Sequence, residues 1–206
     1  MMRRGVKPPL RLWVVLGLSG VLSACAWLWP PDATLPGGAE REKLRALSVW
    51  SMEGRVKVHT PDDGWTAGLE WRHMGEEDRL LLSGPLGQRV VGIVRNGDYM
   101  AVEAANGGLL ESSDPEGLMS EHLGFSVPLE SLRYWVLALP APQQDFAARP
   151  PAENSTALFG FDQAGWSLDY DGFMQEAGWV VPRKITVRGQ GGVVLRLIVD
   201  RWRFDE

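Results

Sequence analysis

The chain has 206 residues, 45% of them hydrophobic and 23% charged, a balance that fits one folded domain with a sizeable core and excludes both disorder and a polytopic membrane protein. One cysteine and three histidines leave no material for a disulfide framework or a cysteine-rich zinc site, and a formal net charge of -5 argues against a nucleic-acid binder. Ten aromatic residues are Trp, against three Tyr and six Phe, an excess of the ring that suits surfaces part apolar and part wet.

Residues 1–24 read as a cleaved bacterial export signal. Arg3, Arg4, Lys7 and Arg11 precede the apolar run Leu12 to Leu22, which is short for a spanning helix, and small residues follow. Leu22-Ser23-Ala24-Cys25 resembles the lipobox of bacterial lipoproteins, where the cysteine becomes the lipid-modified N-terminus; the other reading is a plain cysteine after a signal peptide. Cleavage removes four basic residues and no acids, which leaves 17 basic and 26 acidic residues and a charge of -9. An acidic domain does not adhere to anionic lipid by charge, so its membrane anchor must be covalent or apolar. Ala26 stands where an aspartate would resemble an inner-membrane retention signal, which leans toward the outer membrane. Trp27 and Trp29 sit beside the lipid, and Pro30, Pro31, Pro36, Gly37 and Gly38 complete a lipidated, flexible tether over 25–38. A single domain is expected over 39–206.

A short charged helix from Ala39 to Leu47 opens the domain, and then the period becomes two. Trp50, Met52, Gly54, Val56 and Val58 share one face of a strand opposite Ser51, Glu53, Arg55, Lys57 and His59. After the turn Pro61-Asp62-Asp63-Gly64, Trp65, Ala67, Leu69 and Trp71 alternate with Thr66, Gly68, Glu70 and Arg72. Further strands are expected at Arg79 to Ser83, Gln88 to Arg95 and Tyr99 to Ala105, the last two joined at Asn96-Gly97, with another turn at Asn106-Gly107-Gly108. The strand signal returns at Thr156 to Asp162, Trp166 to Tyr170, Lys184 to Arg188 and Val193 to Arg203. Nine to eleven strands without repeats point to one antiparallel sheet curved into a barrel or half-barrel.

Two helices interrupt the strands. Ser113-Asp114-Pro115-Glu116 combines a cap, a Pro at the first helical position and a capping-box Glu, and Gly124 is a natural stop. From Pro128 a second helix carries Leu129, Leu132, Trp135, Val136 and Leu139 as an apolar stripe that ends before Pro140. Helices inserted mid-chain are placed to cover the concave face of a curved sheet.

No catalytic, nucleotide-binding or metal-binding motif is present, and no cofactor is expected. His59 and His73 are read on the polar faces of their strands and His122 on a solvated helix. One feature does not fit a plain barrel. Leu80-Leu81-Leu82-Ser83-Gly84-Pro85-Leu86-Gly87-Gln88 is a strand that enters a tight connection, and Pro85 and Gly87 set its backbone while nothing in the turn requires Leu86. Leu86 either staples its own hairpin or projects as a probe into a lipid surface, where burying one leucine is worth roughly 1.5–3 kcal/mol, enough for a reversible touch.

The lipobox at Cys25, the stretch Arg79 to Gly87, the segment Pro128-Leu129-Glu130-Ser131-Leu132-Arg133-Tyr134-Trp135-Val136-Leu137-Ala138-Leu139-Pro140, and the end from Gly165-Trp166 through Pro182 to Trp202 together resemble the LolB family of outer-membrane lipoproteins. Ala138 departs from the pattern, standing where Gly is common before Leu-Pro. The resemblance implies a mainly β, unclosed (half) antiparallel barrel whose short helices cover an apolar cavity. It implies a receptor anchored in the outer membrane and facing the periplasm, which takes lipoproteins from a LolA-like periplasmic carrier, holds their acyl chains and inserts them into the inner leaflet. It also implies that Leu86 projects and takes part in delivery. Candidate cavity residues are Trp50, Val56, Trp65, Leu69, Trp71 and Trp166 on the strands, with Leu132 and Trp135 on the covering helix, each of which is equally readable as ordinary core. A monomer without enzymatic activity or nucleic-acid partner is expected. The alternatives are a structural envelope lipoprotein with a filled barrel acting as a scaffold, and a lipid-active hydrolase of unfamiliar motif.

Overall fold

The computed structural model of the protein describes residues 38–84, 89–123, 125–150 and 156–205, leaving aside the side chains of residues 89, 90, 122 and 123. Cys25 and the connection Pro85-Leu86-Gly87 lie outside the described residues, as do the export signal and all of the tether but Gly38.

Helix α1, Gly38–Arg45, has Glu40 in its first turn and Lys43 and Arg45 in its last, which suits the helix dipole. Eleven strands follow in a single sheet: β1 Val49–His59, β2 Gly64–Met74, β3 Glu77–Ser83, β4 Arg89–Asn96, β5 Tyr99–Ala104, β6 Leu109–Ser112, β7 Phe146–Arg149, β8 Phe159–Gln163, β9 Trp166–Glu176, β10 Trp179–Arg188 and β11 Val194–Phe204. Their order across the sheet is β6-β5-β4-β3-β2-β1-β11-β10-β9-β8-β7, and every neighbouring pair is antiparallel. The edges, β6 and β7, do not pair with each other, so the barrel is unclosed.

The chain crosses between those two edges over residues 113–145, and this crossing carries α2, Pro115–Leu123, and α3, Leu129–Trp135. Asp114 caps α2 by accepting the Gly117 N–H at 3.0 Å, and Pro115 takes the first helical position. Helix α3 stops a turn earlier than its apolar stripe because Ala138 adopts φ +59° and the Leu139 N–H folds back to the Tyr134 carbonyl at 3.1 Å.

The alternation along β1 and β2 places Trp50, Met52, Val58, Leu69 and Trp71 in the concave core. The convex face is polar and carries ion pairs between strands: Glu53 with Arg201 at 3.0 Å and with Arg203 at 2.8 Å, and Arg55 with Asp200 at 3.2 Å. Gly54 stands at a bulge against β11 where a Cβ would come 2.2 Å from the Ile198 carbonyl oxygen, so the close approach of these strands requires glycine.

Strands β6 and β7 have no counterpart in the sequence reading, since four residues, three of them exposed, leave too little alternation to detect. Strand β10 begins five residues before its expected start. Pro182 interrupts its pattern, and the sheet absorbs the missing N–H in an irregular register between Pro182 and Ile185.

Candidate functional site

A cavity of about 110 Å³ lies between the concave face and the covering segment, and every residue of its wall is apolar or aromatic. Val56 on β1, Trp65, Leu69 and Trp71 on β2, and Leu80 and Leu82 on β3 form one side. Ile185 and Val187 on β10 with Leu195 and Leu197 on β11 form the other. Met119 from α2, Phe125 and Val127 from the linker, and Leu129, Leu132, Trp135 and Val136 from the α3 region make the roof.

Six of the eight residues chosen from sequence therefore meet around one space: Val56, Trp65, Leu69, Trp71, Leu132 and Trp135. Trp50 and Trp166 do not line it. Trp50 shares the face of Val56 but sits at the opposite end of β1, packed between Trp71, His73 and Trp202 with ring centroids 5.2–5.6 Å away. Trp166 begins β9, with its ring against Gly189, where a Cβ would come within 2.5 Å of it, and 6.3 Å from the Trp135 ring. It borders an open groove that also takes in Pro61 and Phe125, and Phe125 belongs to both groove and cavity.

Beside the Trp50 cluster lies a buried polar network that sequence reasoning missed. His73 is not a solvated histidine. It follows Trp71 in step on the concave face of β2, with its side chain only 7% exposed. Its Nδ1 lies 2.8 Å from Oδ1 of Asp78, which also accepts the Trp71 Nε1–H at 3.0 Å, while Asp78 Oδ2 accepts from Arg95 at 3.2 Å. One buried carboxylate thus receives three donors and one full positive charge, the arrangement that makes a charge tolerable in a core. The second terminal nitrogen of Arg95 faces Glu130 of α3 at 3.9 Å.

A second polar group holds the far end of α3. Gln163, almost wholly buried at the end of β8, accepts the Trp135 Nε1–H at 2.7 Å and the Ala141 N–H at 2.8 Å, and donates to the Ala141 and Gln144 carbonyls at 2.9 and 3.0 Å. Those are all the bonds a glutamine amide can make. Tyr170, fully buried on β9, donates its hydroxyl to the Trp135 carbonyl at 2.7 Å. Burial, and then the nearby charge of Asp169, push its phenol well above the ordinary value of 10.0, so it remains a donor. Among the described residues no group of three His, Cys, Asp or Glu side chains is placed to hold a metal ion.

Comparison with known proteins gives a consistent result. A family model described as "Outer membrane lipoprotein LolB" matches residues 48–202. Outer-membrane lipoprotein LolB of Pseudomonas fluorescens strain Pf-5 is 28% identical over 94% of this chain and 96% of its own length, and that of Pseudomonas aeruginosa strain LESB58 is likewise 28% identical over the same shares. Among solved structures, a LolA superfamily protein from Nitrosomonas europaea superposes with a TM-score of 0.51 at 11% identity, covering 84% of this chain and 95% of its own. A DUF1329 family protein from Desulfovibrio piger gives 0.53 at 8% identity, covering 81% and 90%. These two likenesses bear on the fold.

Proposed function

The chain belongs to the LolB family of outer-membrane lipoproteins, and on that premise we propose that its concave face receives the acyl chains of a lipoprotein from a LolA-like periplasmic carrier and releases them into the inner leaflet of the outer membrane. The observation that carries this reading is the cavity whose wall has no polar residue, roofed by a segment that no strand pairing fastens to the sheet. Each buried CH2 contributes roughly 0.8 kcal/mol, so acyl chains do not cross water unaided but exchange readily between two apolar hosts. No bond is made or broken.

The cavity volume adds a requirement. An apolar cavity of roughly 150 Å³ takes one benzene-sized molecule, and the space here is about 110 Å³. A long acyl chain needs several times more, so loading requires the roof to move away from the sheet. In this account Cys25 carries the anchor, the protein acts as a monomer, and Leu86 touches the membrane during delivery.

The small volume also favours a second reading, in which the barrel is permanently filled and the domain is a scaffold. A hydrolase has less support. His73 and Asp78 are in contact, but the other partners of Asp78 are Trp71 and Arg95, and no hydroxyl joins them among the described hydrogen bonds.

The test places the lipidated protein in vesicles and offers them a carrier loaded with a fluorescent lipoprotein. Transfer that depends on the protein, and that falls at least tenfold on Leu132→Asp in the cavity roof, is expected. Transfer at the same rate without the protein would leave the scaffold.

A further inference from the structure

The roof is fastened very differently at its two ends. At the C-terminal end of α3, Trp135 is held through its indole by Gln163 and through its carbonyl by Tyr170, and the donors and acceptors involved are buried. The same glutamine grips both main-chain groups of Ala141, just past the helix. The carbonyls of this end are closed by the Leu137, Ala138 and Leu139 N–H groups, which return to Tyr134 and Trp135 at 3.0–3.1 Å.

The N-terminal end has the opposite character. Pro128 occupies the cap position and gives no side-chain cap, so the first N–H groups of the helix have no capping oxygen. The polar tie to the sheet is the pair Glu130 with Arg95, 3.9 Å apart, in which the Glu130 side chain is 69% exposed and is shared with Arg133 at 3.6 Å. With its carboxylate largely in water and the charges 3.9 Å apart, the pair is a weak tie. Leu129 and Leu132, which face the cavity, sit on this loosely held side.

From this asymmetry we propose that α3 is a flap opened from one end: it pivots at the Trp135–Gln163–Tyr170 anchor and lifts at Glu130, so the cavity opens toward β4 and not toward β8. The proposal rests on the acyl-binding reading and adds the direction of opening and the residues that govern it. Arg95 is the positioning residue of the latch. Held by the buried Asp78, it presents a fixed charge to an exposed carboxylate. When the pair parts, Arg95 keeps its partner in the core, so opening leaves no buried charge alone.

The experiment is site-resolved hydrogen exchange on the full lipidated chain in nanodiscs, without carrier or cargo, comparing the Leu132 amide, bonded to the Pro128 carbonyl, with the Val136 to Leu139 amides. Glu130→Gln, at an exposed position that does not endanger the fold, should speed Leu132 exchange about twofold to fivefold and leave Val136 to Leu139 unchanged. Tyr170→Phe should loosen the Val136 to Leu139 group. If Glu130→Gln changes neither group, or both equally, the one-ended flap is wrong. Because neither carrier nor cargo enters this measurement, its failure is separable from failure of the transfer reading. The carrier-loading assay on the same variant tests that reading by itself, and faster loading of Glu130→Gln is expected where both hold.

Discussion

His73 and Asp78 face each other across the β2–β3 ladder, with Nδ1 and Oδ1 2.8 Å apart and both side chains buried. This contact is the centre of a charged network buried beside the Trp50 cluster. Replacing the carboxylate leaves Arg95 in the core without its counter-ion, and removing one partner of a buried pair costs about 3–5 kcal/mol. Asp78→Asn is therefore expected to lower the unfolding free energy by about that amount, read from urea titration. A loss below about 1 kcal/mol would mean that water reaches the site.

Tyr170 makes the stability sensitive to alkali. Its phenol is raised above 10.0 in the folded protein, first by burial and then by Asp169. The group is protonated in both states below pH 10, so its contribution is complete there. Above that pH the unfolded chain loses the proton first, and stability falls by up to roughly 1.4 kcal/mol per pH unit until the folded phenol also ionises. Unfolding titrations from pH 8 to 11 on the native chain and Tyr170→Phe should show this decline reduced in the variant. At pH 7 the same substitution should cost about 0.5–1.5 kcal/mol, the net worth of one hydrogen bond, since the Trp135 carbonyl keeps the Ala138 N–H.

Ala138 ends α3 at φ +59°, in a region that costs an L residue about 1 kcal/mol and glycine almost nothing. Ala138→Gly should raise the melting temperature by a few degrees, the loss of one buried methyl offsetting part of the gain. A lower melting temperature would show that the methyl contact outweighs the strain.

Leu86→Glu tests delivery separately from loading. Charge at this position should leave uptake from the carrier unchanged and slow release into vesicles, since a carboxylate does not enter the acyl region. Equal delivery by both proteins would remove Leu86 from the mechanism.

The period of two was enough to assign faces. It put Val56, Leu69 and Trp71 on the concave side, where they line the cavity. It did not report height along a strand, and for that reason Trp50, on the same face as Val56, turned out to belong to a different cluster. His73, Asp78 and Arg95 were within reach of the same rule, because each continues an apolar alternation: Trp71 to His73, Asp78 to Leu80, Ile93 to Arg95. Polarity suggested exposure, whereas three adjacent strands were burying complementary groups. Gln163 was beyond sequence reasoning. Its partner Trp135 lies 28 residues away, and only the crossing chain brings them together.

That crossing chain has a mechanical consequence. In a closed barrel the girth is fixed by the number of strands and their stagger. Here, among the described residues, no ladder pairs β6 with β7 to set the width of the seam, and residues 113–145 bridge it as a covalent strap. The largest load the interior can take is therefore set by how far that strap can pay out, and shortening it by a few residues would cap capacity without touching a single lining side chain.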